Sequence, residues 1–558
     1  MMKVLILFPY VFLAWMPLSM SAEVPSRSAG SVPEAVAVVA TKAGLPAEGR
    51  KVRPPAVAGA FYPGGAEDLE KTVDSFLAKA TVAPIEGTLL AIVAPHAGYE
   101  FSGQVAAHSF APLKGRKFAR VVVISPCHIE AFAFSSIYDG DAYRTPLGDI
   151  PVDKEFAQKL AAQNPLIKIS GRGHGIVEGR GEHALEVELP FLQRALGEFK
   201  LVPIVMGDQN YEIERALGVA LAKLIQQGRP KGSVAPPDTL IVASSDLSHF
   251  HPYDDAVRLD RKTLAALEEW DYFNMSQNFE RRIWEACGGG PIVAAMIAAE
   301  RLGANRAKVL KYANSGDVTG DKSRVVGYGA AAFTAGQGGR GGKGAGFSLS
   351  GAEKDALMKI AKASVLAAVK ERKVYQCSSG GLAALEQDRG AFVTLKERGQ
   401  LRGCIGYIAP MKPLCQTVRD VAAAAALEDP RFRPVELREL GELEYEVSVL
   451  SPLRRVTDFK QIKVGQHGLV AWRGGKEGLL LPQVPVEQKW DRTTFLEQTC
   501  VKAGLPADAW KDEATDIFMF SALVFGEHSP FEPPTLDEPY RRGPEGPRGR
   551  PGPDSPSR

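Results

Sequence analysis

Four short runs of aliphatic, β-branched residues constrain this chain most, at 89–94, 119–125, 201–206 and 239–244. Each is bounded by turn residues. The segments between or before them repeat apolar residues at spacings of three and four, as in GAEDLEKTVDSFLAKA (65–80), DKEFAQKLAAQ (153–163) and IERALGVALAKLIQQG (213–228). Buried strands alternating with amphipathic helices predict a layered α/β domain. VVGYGAAAF (325–333) is expected to close the sheet as an edge strand, and PIVAAMIAAERL (291–302) to form a helix directly after three glycines.

The histidines sharpen this picture. Only nine occur in 558 residues, and His96, His128 and His249 each follow a strand-like run: AIVAPHAGY (91–99), VVVISPCHIE (121–130) and LIVASSDLSHFH (240–251). In an open α/β sheet, residues just past the carboxyl ends of the strands face the crevice where ligands bind. Three imidazoles brought to one rim, with Cys287 of EACGGGP (285–291) as a fourth group, suggest a shared metal site. Cys287 precedes a helix N-terminus, where the dipole favours a thiolate. Asp246 and His249 read as a proton-transfer pair, with Asp246 as a helix N-cap the alternative. Glu182 and Glu186 are expected on one face of a helical turn with His183 beside them, orienting a ligand or forming a surface patch.

Length predicts more than one domain. A net charge of +2, with no Lys/Arg block in the folded regions, gives no nucleic-acid signal. Six cysteines without a CxxC indicate neither a zinc finger nor a dense disulfide scaffold. Residues 1–22 carry Lys3, an apolar run broken by Pro9 and Pro17, and small residues near Ser19–Ala22, which fits a secretory signal peptide. That implies an exported or periplasmic protein, with a miscalled start codon and a cytoplasmic protein as the alternative. No other stretch is expected to span a bilayer. A tether follows at 23–52, a first domain at 53–334, a glycine-rich linker at 335–350, a second domain at 351–530 and a disordered tail at 531–558.

VAGAFYPGG (57–65), PHAGYEFSG (95–103), SPCH (125–128), YRTPLGDIPVD (143–153), EHALEVELPFL (182–192), SSDLSHF (244–250) and CGGGP (287–291) resemble the Memo family across the first domain. The resemblance implies a fold similar to class III extradiol dioxygenases. It places His96, His128 and Cys287 at the family's metal-ligand positions, and Asp246 and His249 in the same cleft; Tyr99, Cys127, Glu182 and His183 are expected to support or line it. Where many relatives have Ser-His-His, this chain has Cys127-His128-Ile129, so Cys127 is a soft alternative ligand, a redox thiol or an inert small residue. Two imidazoles and a thiolate suit iron or copper, with zinc possible. A thiolate in place of the dioxygenase carboxylate argues against transferring ring cleavage.

The second domain alternates differently. GAFVTLKERGQLRGCIGYI (390–408) reads as two strands around a turn, LEYEVSVLSPLRRV (443–456) alternates with period two, and LCQTVRDVAAAAALED (414–429) and DRTTFLEQTCVKAGL (491–505) are helical. An α+β domain with an antiparallel sheet is expected. LRGCIG (401–406), DPRFRPV (429–435) and LLPQVPVEQKWD (480–491) resemble the AMMECR family. Gly403 and Gly406 would let a ligand approach the backbone, Arg402 could bind an anion, and Cys404 is either a nucleophile or a buried thiol. The pair of domains resembles the first two parts of the three-part AmmeMemoRadiSam system, which implies a separate radical S-adenosylmethionine protein as partner, since no CxxxCxxC motif occurs here.

Three functions fit. One is a metal-dependent oxidoreductase, dioxygenase-like, acting on a small or macromolecular substrate. The others are a metal-binding or redox-buffering protein without turnover, and a protein-interaction module.

Overall fold

The computed structural model describes residues 49–228, 237–336 and 348–527. The expected signal peptide, most of the tether, the core of the glycine-rich linker and the C-terminal tail lie outside the described residues. Among the described residues, no helix is long and apolar enough to cross a membrane.

The first domain is built on a nine-stranded sheet. Its strands are β1 (Thr88–Ala94), β2 (Arg120–Pro126), β3 (Ser135–Ile137), β4 (Ile167–Ile169), β5 (Lys200–Met206), β6 (Thr239–Ser244), β7 (Asp246–His251), β8 (Arg306–Asn314) and β9 (Val325–Ala335). They run in the order β7-β9-β1-β6-β2-β5-β3-β4, with β8 also paired to β9. The four central strands β1, β6, β2 and β5 are parallel. They are the four apolar runs of the sequence, and each is buried along nearly its whole length because helices cover both faces.

One face is covered by α1 (Ala66–Lys79), α2 (Tyr99–Phe110) and α4 (Leu189–Leu196), which pack into a cluster with Leu69, Phe110 and Phe191. The helix α3 (Lys154–Ala161) precedes α4 in the chain. The other face carries α5 (Tyr211–Gln227), α7 (Tyr272–Glu280) and α8 (Gly289–Arg301), with α6 (Tyr253–Glu268) lying between α5 and α7 in sequence.

β9 is not the expected closing edge. It pairs antiparallel with β1, β7 and β8. Its Gly- and Ala-rich sequence has no charged residue, which suits a doubly paired interior strand better than a solvent edge.

The second domain contains α9 (Gly351–Leu366), β10 (Ala391–Glu397), β11 (Gln400–Tyr407), α10 (Leu414–Leu427), β12 (Leu443–Leu450), β13 (His467–Arg473), β14 (Lys476–Leu480), α11 (Arg492–Lys502) and β15 (Asp516–Gly526). The strands form an antiparallel sheet in the order β11-β10-β12-β15-β13-β14. Val393, Leu395, Val447 and Val449 alternate onto the α9/α10 face. Phe392, Leu450, Val470, Trp472, Phe518 and Phe520 of this domain pack into the same apolar cluster as Tyr211, Phe273 and Ile297 of the first. The two domains therefore share buried surface.

Candidate metal centre

The site forms where β1, β2 and β6 end. β1 delivers His96 and β2 delivers His128, while Asp246 lies two residues past the end of β6. Cys287 comes from the loop before α8. His96 Nε2 lies 3.1 Å from Cys287 Sγ. One ligand atom each from His96, His128 and Cys287 falls within 4.8 Å of the others, as do those of His128, Glu182 and His183, and those of Asp246, His249 and Cys287. The three sets share His128 and Cys287, so seven donor side chains surround one cleft.

The imidazoles are held in definite tautomers. His128 Nδ1 lies 3.1 Å from Glu182 Oε1, and Glu182 Oε2 accepts the His128 amide at 2.5 Å. Glu182 Oε1 also accepts from the amides of His183 and Ala184. A carboxylate facing Nδ1 fixes the proton there and leaves the Nε2 lone pair available. Burial raises the Glu182 pKa, but its hydrogen bonds from His128 outweigh that and hold it below the usual carboxylate value. His96 is tied in the same way. Its Nδ1 lies 2.8 Å from Ser244 Oγ, which lies 2.7 Å from Glu188 Oε1.

Burial, reinforced by the neighbouring imidazoles, pushes the His96 pKa well below its ordinary value, so the ring is neutral and can act as a donor. His183 is pushed down to about 4, mainly by burial, and its ring stacks on His128 with centroids 4.8 Å apart. Burial raises the Glu188 carboxyl well above its usual value.

The three glycines after Cys287 are required by close packing. A Cβ on Gly288 would lie 2.2 Å from Ser244 O, and one on Gly290 would meet Met206 Sδ at 2.7 Å and the Gln209 side chain at 2.9 Å. Those contacts press the loop against the ends of β6 and β5 and set the thiol beside His96. Sequence reasoning placed a helix dipole on Cys287 to favour its thiolate. In the structure burial dominates, with the Asp246 carboxyl adding to it, and the thiol pKa is well above its usual value. The metal-free sulfur is therefore protonated at neutral pH.

Two comparisons with known proteins bear on the first domain. A family model described as Memo-like protein matches residues 53–332, half of the chain. The chain belongs to the Memo family. A curated MEMO1 family protein of Methanopyrus kandleri is 37% identical over 296 residues, covering 51% of this chain and 99% of the relative. Those of Aeropyrum pernix and Methanosarcina mazei are each 38% identical, over 288 and 281 residues, covering 50% of this chain and 98% of each relative. A second family model, AMMECR1, matches residues 358–525. The crystal structure of an uncharacterized protein from Pyrococcus horikoshii is 39% identical in sequence and covers 33% of this chain and 96% of its own, with a TM-score of 0.30. The chain is thus a fusion of a Memo-like and an AMMECR1 domain.

Several expected residues sit differently in the Memo-like domain. Asp246 is no helix cap: it opens β7, and its Oδ1 accepts the His96 amide at 2.8 Å. Burial raises its pKa to about 7 despite that bond. His249 Nδ1 lies 2.8 Å from Leu247 O, so the hydrogen bonds of Asp246 and His249 do not join them as a pair. Glu186 does not share a helical face with Glu182, because Glu182 precedes the helical turn. Glu186 turns away to accept from Arg53 at 2.5 Å and from Tyr62 at 2.6 Å. Tyr99 is a core residue, its hydroxyl donating to Val187 O and its ring packed on Phe191. Among the described residues, Cys127 joins none of the groups that could hold a metal, and it packs against the apolar cluster under α1 and α2. Glu188 and Ser244, which support His96, were not singled out by the sequence.

In the AMMECR-like domain the LRGCIG glycines admit protein, not ligand. A Cβ on Gly403 would lie 2.1 Å from Ala425 O of α10, and one on Gly406 would lie 2.2 Å from the Phe392 ring. Arg402 is not free for an anion: it donates to both carboxylate oxygens of Glu439, at 2.7 and 3.1 Å. Cys404 Sγ accepts from Thr394 at 3.2 Å, and burial raises its pKa.

Proposed function

We propose that the Memo-like domain is a redox-active metal centre, of iron or copper, that performs oxidoreductase chemistry in a fold similar to extradiol dioxygenases. The approach of His96 Nε2 to Cys287 Sγ, with His128 beside them and both imidazoles oriented from behind, carries this reading. The donor chemistry fits: neutral imidazoles and a displaceable thiol proton suit iron, copper or zinc and disfavour magnesium and calcium. Bound there, the metal would supply a Lewis-acidic centre with positions open to substrate.

The chain's own residues have definite tasks. Glu182 holds His128, and Ser244 with Glu188 holds His96. His249, with Nδ1 committed to Leu247 O, presents Nε2 to the cleft as a proton acceptor. Burial lowers its pKa, so it is neutral and ready to accept at pH 7. The AMMECR-like domain is proposed as a substrate- or partner-binding module, with a separate radical S-adenosylmethionine protein as candidate partner. Export through residues 1–22 is part of the same proposal.

The test is whether a coordination position stays open. Anaerobic protein loaded with iron(II) should give the S = 3/2 electron paramagnetic resonance signal of a nitric oxide adduct, and should consume oxygen with a suitable substrate. Metal binding without either response would favour storage without turnover. That second reading draws on His183, Asp246 and His249, whose extra donor atoms could saturate the ion.

A further inference from the structure

The loop that carries Cys287 is held by the Ser245 hydroxyl, which accepts the Gly288 amide at 3.0 Å, and is spanned by the side chain of Gln209. Gln209 Nε2 donates to Cys287 O at 2.8 Å, and Gln209 Oε1 accepts the Gly290 amide at 2.7 Å. Gln209 lies in the short connection between β5 and α5, which is pinned at both ends. At one end Gly207 and Asp208 donate to Phe134 O and Phe132 O. A Cβ on Gly207 would lie 1.9 Å from Phe132 O, so the backbone there has no room to shift.

At the other end the AMMECR-like domain is in contact. Tyr211, two residues after Gln209, donates to Asp516 Oδ2 at 3.1 Å, and its ring meets Trp472 edge-on at 4.7 Å. Asp516 is buried, and it also accepts from Arg215 of α5 at 2.7 Å and from Arg301 at the far end of α8 at 3.0 Å. Beside it, Glu300 of α8 accepts from Arg455 at 2.6 Å and from Tyr272 at 3.0 Å. Helix α8 has 13 residues, so it spans about 20 Å from the Cys287 loop to this ion-pair cluster. The domain interface therefore grips the start of α5, two residues past Gln209, and the C-terminal end of α8, whose other end follows the Cys287 loop.

We propose that Trp472 and Asp516 of the AMMECR-like domain are positioning residues for the Memo-like site, fixing Tyr211 and through it the Gln209 brace on the Cys287 loop. This rests on the metal-centre reading above. It also gives the fusion a physical role: the second domain completes the support of the first domain's thiol. A buried aspartate with three donors is stiff, because releasing any one of them weakens the pairing of a largely buried charge.

The test is a double-mutant cycle on the full chain, with cobalt(II) as the probe. Gln209→Ala, Asp516→Asn and the double variant are titrated anaerobically while the thiolate-to-cobalt absorption band is followed. Alkylation of Cys287 by iodoacetamide in metal-free protein, measured on its peptide by mass spectrometry, is the second readout. Tyr211→Phe is the milder variant, keeping the ring on Trp472 and removing only its bond to Asp516.

Gln209→Ala is expected to weaken cobalt binding about tenfold and Asp516→Asn several-fold, each speeding alkylation of Cys287. In the Gln209→Ala background, Asp516→Asn should add nothing. Wild-type band, affinity and alkylation rate in both Asp516→Asn and Tyr211→Phe would overturn the proposal. A penalty from Asp516→Asn that persists in full without Gln209 would also overturn it. A wild-type chain with no cobalt–thiolate band would instead defeat the metal reading, and the alkylation rates would still decide whether the second domain fixes the loop.

Discussion

Cys287 and Cys404 each sit in a glycine-flanked motif, and their surroundings differ. Cys287 faces the imidazole of His96 with His128 and His249 nearby, and both Glu182 and Ser244 stand behind those rings on the side away from the sulfur. Cys404 faces a threonine hydroxyl, its amide donates to Asp429, and its carbonyl accepts from Arg431, which is itself paired with Asp429. Around the first thiol, donor atoms of His96, His128, Asp246 and His249 converge, with His96 Nε2 3.1 Å from the sulfur. Around the second, the strong donors and acceptors are matched to one another. A motif can therefore be equally distinctive in both domains, while the capacity for metal chemistry belongs to the one that gathers several imidazoles and a carboxylate around its thiol.

That contrast can be broken from either side. The largest effect is expected at Glu182. Glu182→Gln removes the carboxylate that fixes the His128 tautomer and should weaken metal binding about 10- to 100-fold in a chelator competition; unchanged affinity would show that His128 needs no such partner.

Next comes pH. The Cys287 thiol pKa is raised by burial and that of His96 is lowered, so across neutral pH the metal displaces one proton from sulfur and none from His96. Below the raised thiol pKa, affinity for zinc should rise about tenfold per pH unit, and a flat profile would mean that the thiol is not a ligand.

A smaller effect is expected for Arg402→Ala, which removes the paired contact to Glu439. It should destabilise the AMMECR-like domain by about 1–3 kcal/mol in urea unfolding without changing metal stoichiometry. Least of all is expected from Cys404→Ser, which should leave metal content at the wild-type value; a loss there would erase the difference between the two thiols.

Much of the framework was readable from the chain. The four parallel strands are apolar because helices cover both of their faces, and their carboxyl ends place His96, His128 and Asp246 at one rim. What could not be read depends on contacts between distant segments. Ser244 looks like a strand terminus until it is found beneath His96, and Glu188 looks like one of several carboxylates in EHALEVELP. Glu182 was expected on a helical turn, but it precedes that turn, and its carboxylate accepts from the amides of His128, His183 and Ala184. The LRGCIG glycines suggested ligand access, and only the packing of α10 and Phe392 reveals what fills that space. The domain interface was also hidden, because Tyr211 and Asp516 are 305 residues apart.

The central claim is that His96, His128 and Cys287 hold one redox-active metal. Its most direct test is metal content by mass spectrometry on protein purified without oxygen, comparing wild type with His96→Ala, His128→Ala and Cys287→Ala. Near-stoichiometric iron or copper in the wild type, lost in all three variants, is the predicted result. A wild-type chain that carries no metal and takes up no iron, copper or zinc on titration would contradict the account and leave the cleft as a metal-free binding surface.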